Sequence, residues 1–171
     1  PNIVKTKRVD GVFIIGGLFD DSFIKNLLKV KIPMVILGRT YPNIDSVSTD
    51  SKFATYIGVQ YLISKGHKEI LFIEGPELTP SSRMKKEGYN LALTEAGIPF
   101  REELVAKSEF TAFGGYLAVK DALTNQNIKP TAVFTSSDAM AVGAMRYFYE
   151  KNVRIPDQIS IATYDDTILA T

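Results

Sequence analysis

Short apolar runs alternating with longer amphipathic stretches predict an α/β fold of parallel sheets flanked by helices. The apolar runs are strand-sized, and glycines and prolines punctuate the boundaries at Pro33, Gly66, Gly97, Pro130 and Pro156. A chain of 171 residues that is 45% apolar and 23% charged is long enough for one domain or a pair of small lobes with a true core.

Taken in order, Gly11–Ile15 reads as a buried strand and Ser22–Val30 as a helix, which Ile32-Pro33 breaks before the strand Met34–Leu37. A polar connection with Pro42, Asn43 and Asp45 leads through a short extended crossing to Asp50-Ser51, which can cap a helix. In that helix Phe53, Ala54, Ile57, Gly58, Tyr61 and Leu62 recur at helical spacing and predict one apolar face. Gly66 supplies a left-handed stop before the strand Ile70–Ile73. Ser81 or Ser82 opens a helix running to Ala96, ended by Gly97, and Leu104–Lys107 is a weaker strand. A helix over Gly115–Leu123 precedes the strand Thr131–Phe134. Asp138 caps a helix carrying Met140, Ala144, Tyr147 and Phe148, and Pro156-Asp157 turns the chain into the strand Ile159–Ala162. About six strands thus alternate with five helices, and a change of lobe falls near Asp45–Asp50.

Composition removes several functions. Twenty Lys and Arg against nineteen Asp and Glu give a net charge of +1 with no basic cluster, so this segment has no electrostatic case for gripping nucleic acid by itself. The chain contains no cysteine, hence no disulfide framework and no thiolate metal site, which suits a reducing compartment. No apolar stretch approaches the roughly 20 residues of a membrane span. A charged lead-in runs straight into a strand and the chain stops just after another, the expectation for a piece of a longer protein. His67 is the only histidine, sits in a helix-to-strand turn, and reads as a structural residue rather than a catalytic one. No G-x-S-x-G elbow, G-x-G-x-x-G turn or phosphate-binding P-loop follows a strand, so neither catalysis nor a nucleotide cofactor is expected.

Open parallel sheets bind ligands where the loops leave the carboxyl ends of their strands. The residues placed there are Gly16-Gly17, Gly38-Arg39, Gly75-Pro76, Glu109-Phe110, Ser136-Ser137-Asp138 and Tyr164-Asp165-Asp166. Each has a plain alternative: turn chemistry for the glycines, a helix cap for Asp138, core packing for Phe110, a surface turn for Asp165-Asp166. Their common edge favours a small polyhydroxylated ligand, with charged groups for its hydroxyls and an aromatic ring for its C–H face.

Four segments resemble the LacI/GalR family of bacterial transcription regulators: Val9–Ile15, Tyr61–Ile73 with its L-I-x-x-G-H-x-x-I-x-F-I pattern, Thr131–Met145 (TAVFTSSDAMAVGAM) and Ile155–Asp166 (IPDQISIATYDD). They follow the family's order along nearly the whole chain, and the last two are the most specific. The resemblance implies a periplasmic-binding-protein-like core of type I, with two α/β lobes and the ligand cleft between them. Residues 1–46 would be part of the N-terminal lobe, 47–162 the C-terminal lobe and 163–171 the start of the crossover back, with the DNA-binding headpiece outside this chain. It implies that Asp165 hydrogen-bonds sugar hydroxyls and that Phe110, five residues before Gly115, is the stacking ring. Ser137 and Asp138 would stand where relatives carry an Asn-Asp pair, and Ser81, seven residues before Gly88, would face the ligand. Three departures stand out. Lys85 replaces the Arg of the family's R-x-x-G motif, leaving either Lys85 or Arg83 to serve there. Gly38-Arg39 replaces an Asp, with Arg39 available for the missing contact. Thr163 replaces the glycine before Tyr164.

The implied function is the ligand-sensing core of a cytoplasmic, homodimeric, sugar-responsive repressor, coupled to operator DNA through the headpiece. It needs no enzyme activity, cofactor, metal or membrane. The rival readings are a secreted sugar-binding protein of a transporter, built on the same fold, and an α/β enzyme.

Overall fold

A computed structural model describes residues 9–15, 21–29, 32–125 and 128–170. The chain divides into two compact units, Pro1–Asp50 and Ser51–Thr171.

The first unit contains β1 (Val12–Ile15), α1 (Asp21–Leu28), β2 (Met34–Leu37) and β3 (Asp45–Val47). These strands form one parallel sheet in the order β1-β2-β3. The expected short crossing is thus a third strand: Leu37 pairs with Val47, and the Gly38 N–H donates to the Val47 carbonyl at 2.8 Å. A boundary after residue 46 would cut this strand. Ile14 and Ile36 meet Ile24 and Leu27 of α1 in the core. Phe13 and Ile15 are 71% and 73% exposed, so β1 is half-buried rather than the fully buried strand its composition suggested. Strand residues alternate between faces, and α1 covers only the face that Ile14 presents.

The second unit holds α2 (Ser51–Ser64), β4 (Ile70–Glu74), α3 (Pro80–Glu95), β5 (Val105–Lys107), α4 (Ala112–Asn125), β6 (Ala132–Thr135), α5 (Asp138–Glu150) and β7 (Ser160–Thr163). Its parallel sheet runs β5-β4-β6-β7. Because both faces are covered, the central strands are apolar throughout rather than alternating. Leu71, Ile73 and Val133 point into a core completed by Val119 and Ala122 of α4 and by Met140, Ala144, Tyr147 and Phe148 of α5. Ile70, Phe72, Ala132 and Phe134 point the other way, onto Val59 and Leu62 of α2 and Tyr89, Ala92 and Leu93 of α3.

Several local expectations change. The cap of α3 is Thr79, whose hydroxyl accepts from the Ser82 N–H, with Pro80 in the first turn; neither Ser81 nor Ser82 opens the helix. The cap of α5 is Ser137, not Asp138, which lies one residue inside. In α2 the buried positions are Ser51, Thr55, Val59 and Leu62, while Phe53, Ile57 and Tyr61 of the expected apolar face are exposed. Close packing explains the reversal. A Cβ on Gly88 of α3 would collide with the Lys52 carbonyl, and one on Gly58 with the Phe134 ring. At these two contacts only a small residue fits, so Ser51 and Thr55 turn inward beside Val59 and Leu62, and Phe53, Ile57 and Tyr61 turn outward. The left-handed Gly66 and Gly97 end α2 and α3 as their placement predicted, with φ of +93° and +67°.

His67 is structural at the amino edge of this sheet. Its Nδ1 lies 3.0 Å from the Thr131 hydroxyl and its Nε2 3.0 Å from the Ser160 hydroxyl, joining the entries of β4, β6 and β7.

Candidate ligand site at the carboxyl edge of the second sheet

The strands of the second unit end at Glu74, Lys107, Thr135 and Thr163, so the loops that follow share one edge. Backbone hydrogen bonds fix their first residues. Ser108 N–H donates to Glu74 O at 2.9 Å, Ser136 N–H to Ile73 O at 3.1 Å, and Tyr164 N–H to Thr135 O at 3.1 Å.

Lys85 projects to this edge from α3. It is buried, and its Nζ donates to the Ser136 carbonyl at 2.8 Å. The ammonium lies 3.6 Å from the centre of the Tyr164 ring and 5.6 Å from that of Phe110. An ammonium at such distances is attracted by the negative faces of both rings. Burial holds the Lys85 pKa below the ordinary lysine value, and the nearby Asp165 carboxylate opposes that shift. Lys85 of α3 therefore acts on Phe110, Tyr164 and Asp165 of two loops. Tyr164 is itself held, its hydroxyl donating to Ser51 Oγ at 3.1 Å.

Asp138 is buried at the start of α5. Its Oδ2 accepts from the Thr167 N–H and the Thr167 hydroxyl, both at 2.7 Å. Burial, the largest single influence, pushes this carboxyl up, but the Thr167 bonds and the Thr163 hydroxyl together hold the pKa below the usual aspartate value. The Ser136 hydroxyl is buried without a hydrogen-bond partner among the described residues, whereas the Asp138 carboxylate and the Thr163 hydroxyl, though outside hydrogen-bond geometry, act on each other. A buried hydroxyl without a partner is costly.

Of the residues singled out by sequence, Lys85, Phe110, Ser137, Asp138 and Asp165 gather at this edge. Ser137 is half-buried with its Oγ near the Met140 N–H, and Asp165 is half-buried. Phe110 remains 37% exposed, so it is not core. Ser81 is half-buried in the first turn of α3 and Arg83 is exposed, which makes Lys85 the cation turned into the site. Arg39 belongs to the first unit, where its guanidinium stands 5.7 Å from the Tyr41 ring centre. Gly16 lies outside the described residues. Sequence reasoning placed Tyr164 on this edge but gave it no role, and it missed Thr167 altogether. The only signal for Thr167 was its nearness in sequence to the Tyr164-Asp165-Asp166 turn.

Residues 59–171 match the periplasmic binding protein-like domain family. The chain belongs to that family. A LacI-family sugar-binding transcriptional regulator of Escherichia coli, solved with phosphate, superposes with a TM-score of 0.88 at 30% identity, covering 99% of this chain and 62% of that one. The complex of the transcriptional regulator CelR with cellobiose gives 0.88 at 29% identity, over 99% of this chain and 53% of its own. Among curated proteins, the probable HTH-type transcriptional repressor ExuR of Bacillus subtilis is 37% identical over 166 residues, 95% of this chain and 50% of that protein. The periplasmic binding protein-like chain described here spans about half the length of such curated relatives. Its parallel sheets flanked by helices are those expected from sequence, and its relatives are LacI-family regulators.

Proposed function

We propose that this chain is the ligand-sensing core of a sugar-responsive bacterial transcription repressor, in which effector binding alters affinity for operator DNA. The observation that carries the reading is the grouping of Lys85, Phe110, Tyr164, Asp138 and Asp165 at one sheet edge, with the buried Ser136 hydroxyl left unpartnered beside them. Phe110 stacks on the apolar face of a sugar, while Asp165 accepts from its hydroxyls. Ser137 and Asp138 add polar contacts, Lys85 supplies the cation, and Ser81 and Arg83 line the rim from α3.

The site binds without chemistry. Aromatic rings, an amino group and carboxylates are present, but the only histidine is held at the opposite, amino edge of the sheet. Switching requires the sugar to bind one conformation of the protein better than another. Operator contact belongs to a headpiece outside these residues, which fits a net charge of only +1 and the absence of a basic cluster. The reading includes a homodimer, matched to a pseudo-palindromic operator, and a cytoplasmic location. No described helix is long and apolar enough to cross a membrane. A transporter's sugar-binding protein is the weaker reading, because the similar curated proteins are named as repressors.

The experiment is operator binding by the protein with its headpiece, followed by fluorescence anisotropy during titration with neutral sugars, sugar phosphates, sugar acids and purines. A ligand that shifts operator affinity in the wild type and not in Asp165→Ala supports the reading. A protein that binds no operator, or whose binding ignores every ligand, overturns it.

A further inference from the structure

Gly75 follows β4 and carries none of the polar chemistry of its neighbours. A Cβ at this position would run into Cζ and Cε1 of the Phe110 ring and stand 2.7 Å from the Ser82 hydroxyl. Its backbone needs no left-handed conformation. The demand for glycine is therefore one of space, and what occupies that space is the edge of the Phe110 ring. The Ser82 side is firm, because Ser82 is buried and its Oγ accepts from the Thr79 hydroxyl at 2.5 Å in the cap of α3. The ring side is soft. Phe110 is a loop residue with an exposed face, and its far end is free to swing.

From this asymmetry we infer that Gly75 is a specificity-determining position that acts on the ligand through the Phe110 ring, seating it against the backbone of the β4 exit. The inference rests on the reading of Phe110 as the ligand's stacking ring. Adding one methyl group forces the ring edge back by roughly 1 Å or more, since carbon atoms settle about 3.5–4.0 Å apart. Rotation of the exposed ring relieves the larger clash, while the firm Ser82 hydroxyl, 2.7 Å from the new methyl, stays crowded and costs some stability. The site does not absorb that rotation. The stacking plane tilts, and the ring leaves its place 5.6 Å from the Lys85 ammonium. Stacking depends on offset and distance, so a displaced ring costs affinity for ligands that lie flat on it. The same movement opens room beside the β4 exit and favours a ligand with a larger substituent there.

Aromatic-selective NMR of the full chain with ¹³C-labelled phenylalanine reads the ring first, with no ligand present, in wild type and Gly75→Ala. The expected result is a shift of the Phe110 ring resonances and loss of their proximity to Lys85, in a protein that still unfolds cooperatively. An unmoved ring overturns the inference. Titration with D-glucose, cellobiose, D-glucuronate and glucose 6-phosphate follows, in a double-mutant cycle with Phe110→Leu. Gly75→Ala is expected to change the affinity or rank order of the bound probes by about 5- to 10-fold with Phe110 present, and by less than about 2-fold in the Phe110→Leu background. Equal effects in both backgrounds overturn the inference even if sugars bind. If none of the four probes binds the wild type, the sugar-sensing reading fails, while the ring shift still decides whether Gly75 seats Phe110.

Discussion

The Lys85 ammonium stands 3.6 Å from the centre of the Tyr164 ring and donates a hydrogen bond to the Ser136 carbonyl. A cation is thus buried against a π face rather than against a carboxylate, and α3 is tied to the exits of β6 and β7. Lys85→Met keeps the volume but leaves the buried Ser136 carbonyl without its donor, a loss of about 1–3 kcal/mol. The variant is therefore expected to fold with a lowered melting temperature and to lose most of its effector response. Thermal melting paired with ligand titration checks both. A variant that responds normally would remove Lys85 from the site.

Asp138 carries a pH dependence. Its carboxyl is pushed up by burial but held below the ordinary aspartate value by the Thr167 hydroxyl and N–H. A depressed carboxyl pKa contributes stability that is fully present above the unfolded-state value of about 3.9 and is lost as pH falls through the folded-state value. Wild type should therefore lose stability below about pH 4. Asp138→Asn should be less stable at neutral pH and show a flatter acid limb. Urea unfolding at several pH values measures the slopes, and parallel curves would show that Asp138 does not contribute.

His67 bridges the Thr131 and Ser160 hydroxyls at 3.0 Å each. His67→Ala strips partners from two strand entries and should cost about 1–2 kcal/mol of unfolding free energy. Because the site lies at the other end of the strands, ligand affinity should stay unchanged. A large loss of affinity without loss of stability would contradict a structural role.

Gly143 is where α5 meets α4. A Cβ there would strike the Ala112 carbonyl and come within 2.7 Å of the Tyr116 backbone nitrogen. Backbone cannot swing aside as the Phe110 ring can, so Gly143→Val should destabilise by at least about 3 kcal/mol. Chemical denaturation reads this directly, and a near-wild-type midpoint would show that the two helices can separate at little expense.

Much of the fold was legible because its signals are local. The runs Ile70–Ile73 and Ala132–Phe134 are buried on both faces of a parallel sheet, and Met140, Ala144, Tyr147 and Phe148 do fall on one buried face of α5. What failed depends on distance between elements. The apolar period of Phe53, Ile57 and Tyr61 is a true helical signal, but sequence does not reveal that α3 and the sheet approach so closely that Thr55 and Ser51 are turned inward. The cap at Ser137 rather than Asp138 follows from the Asp138–Thr167 bonds, a tertiary partnership across 29 residues. The strand-end positions of Phe110, Asp138 and Asp165 were readable from order alone. That Lys85 rather than Arg83 turns inward was also readable, because residues two apart on a helix point to opposite sides and Lys85 shares the buried face of Ser82, Tyr89 and Ala92.

The measurement that bears most directly on ligand sensing is a thermal-shift screen against neutral sugars, sugar acids, sugar phosphates and purines, run in parallel on wild type, Phe110→Ala and Asp165→Ala. A ligand present at 100 times its dissociation constant stabilises the native state by about 2.7 kcal/mol. The expected result is a stabilising sugar for the wild type whose shift is abolished in Asp165→Ala and reduced in Phe110→Ala, with both variants folded. A ligand that stabilises all three proteins equally would place the binding site elsewhere and contradict the assignment of this sheet edge.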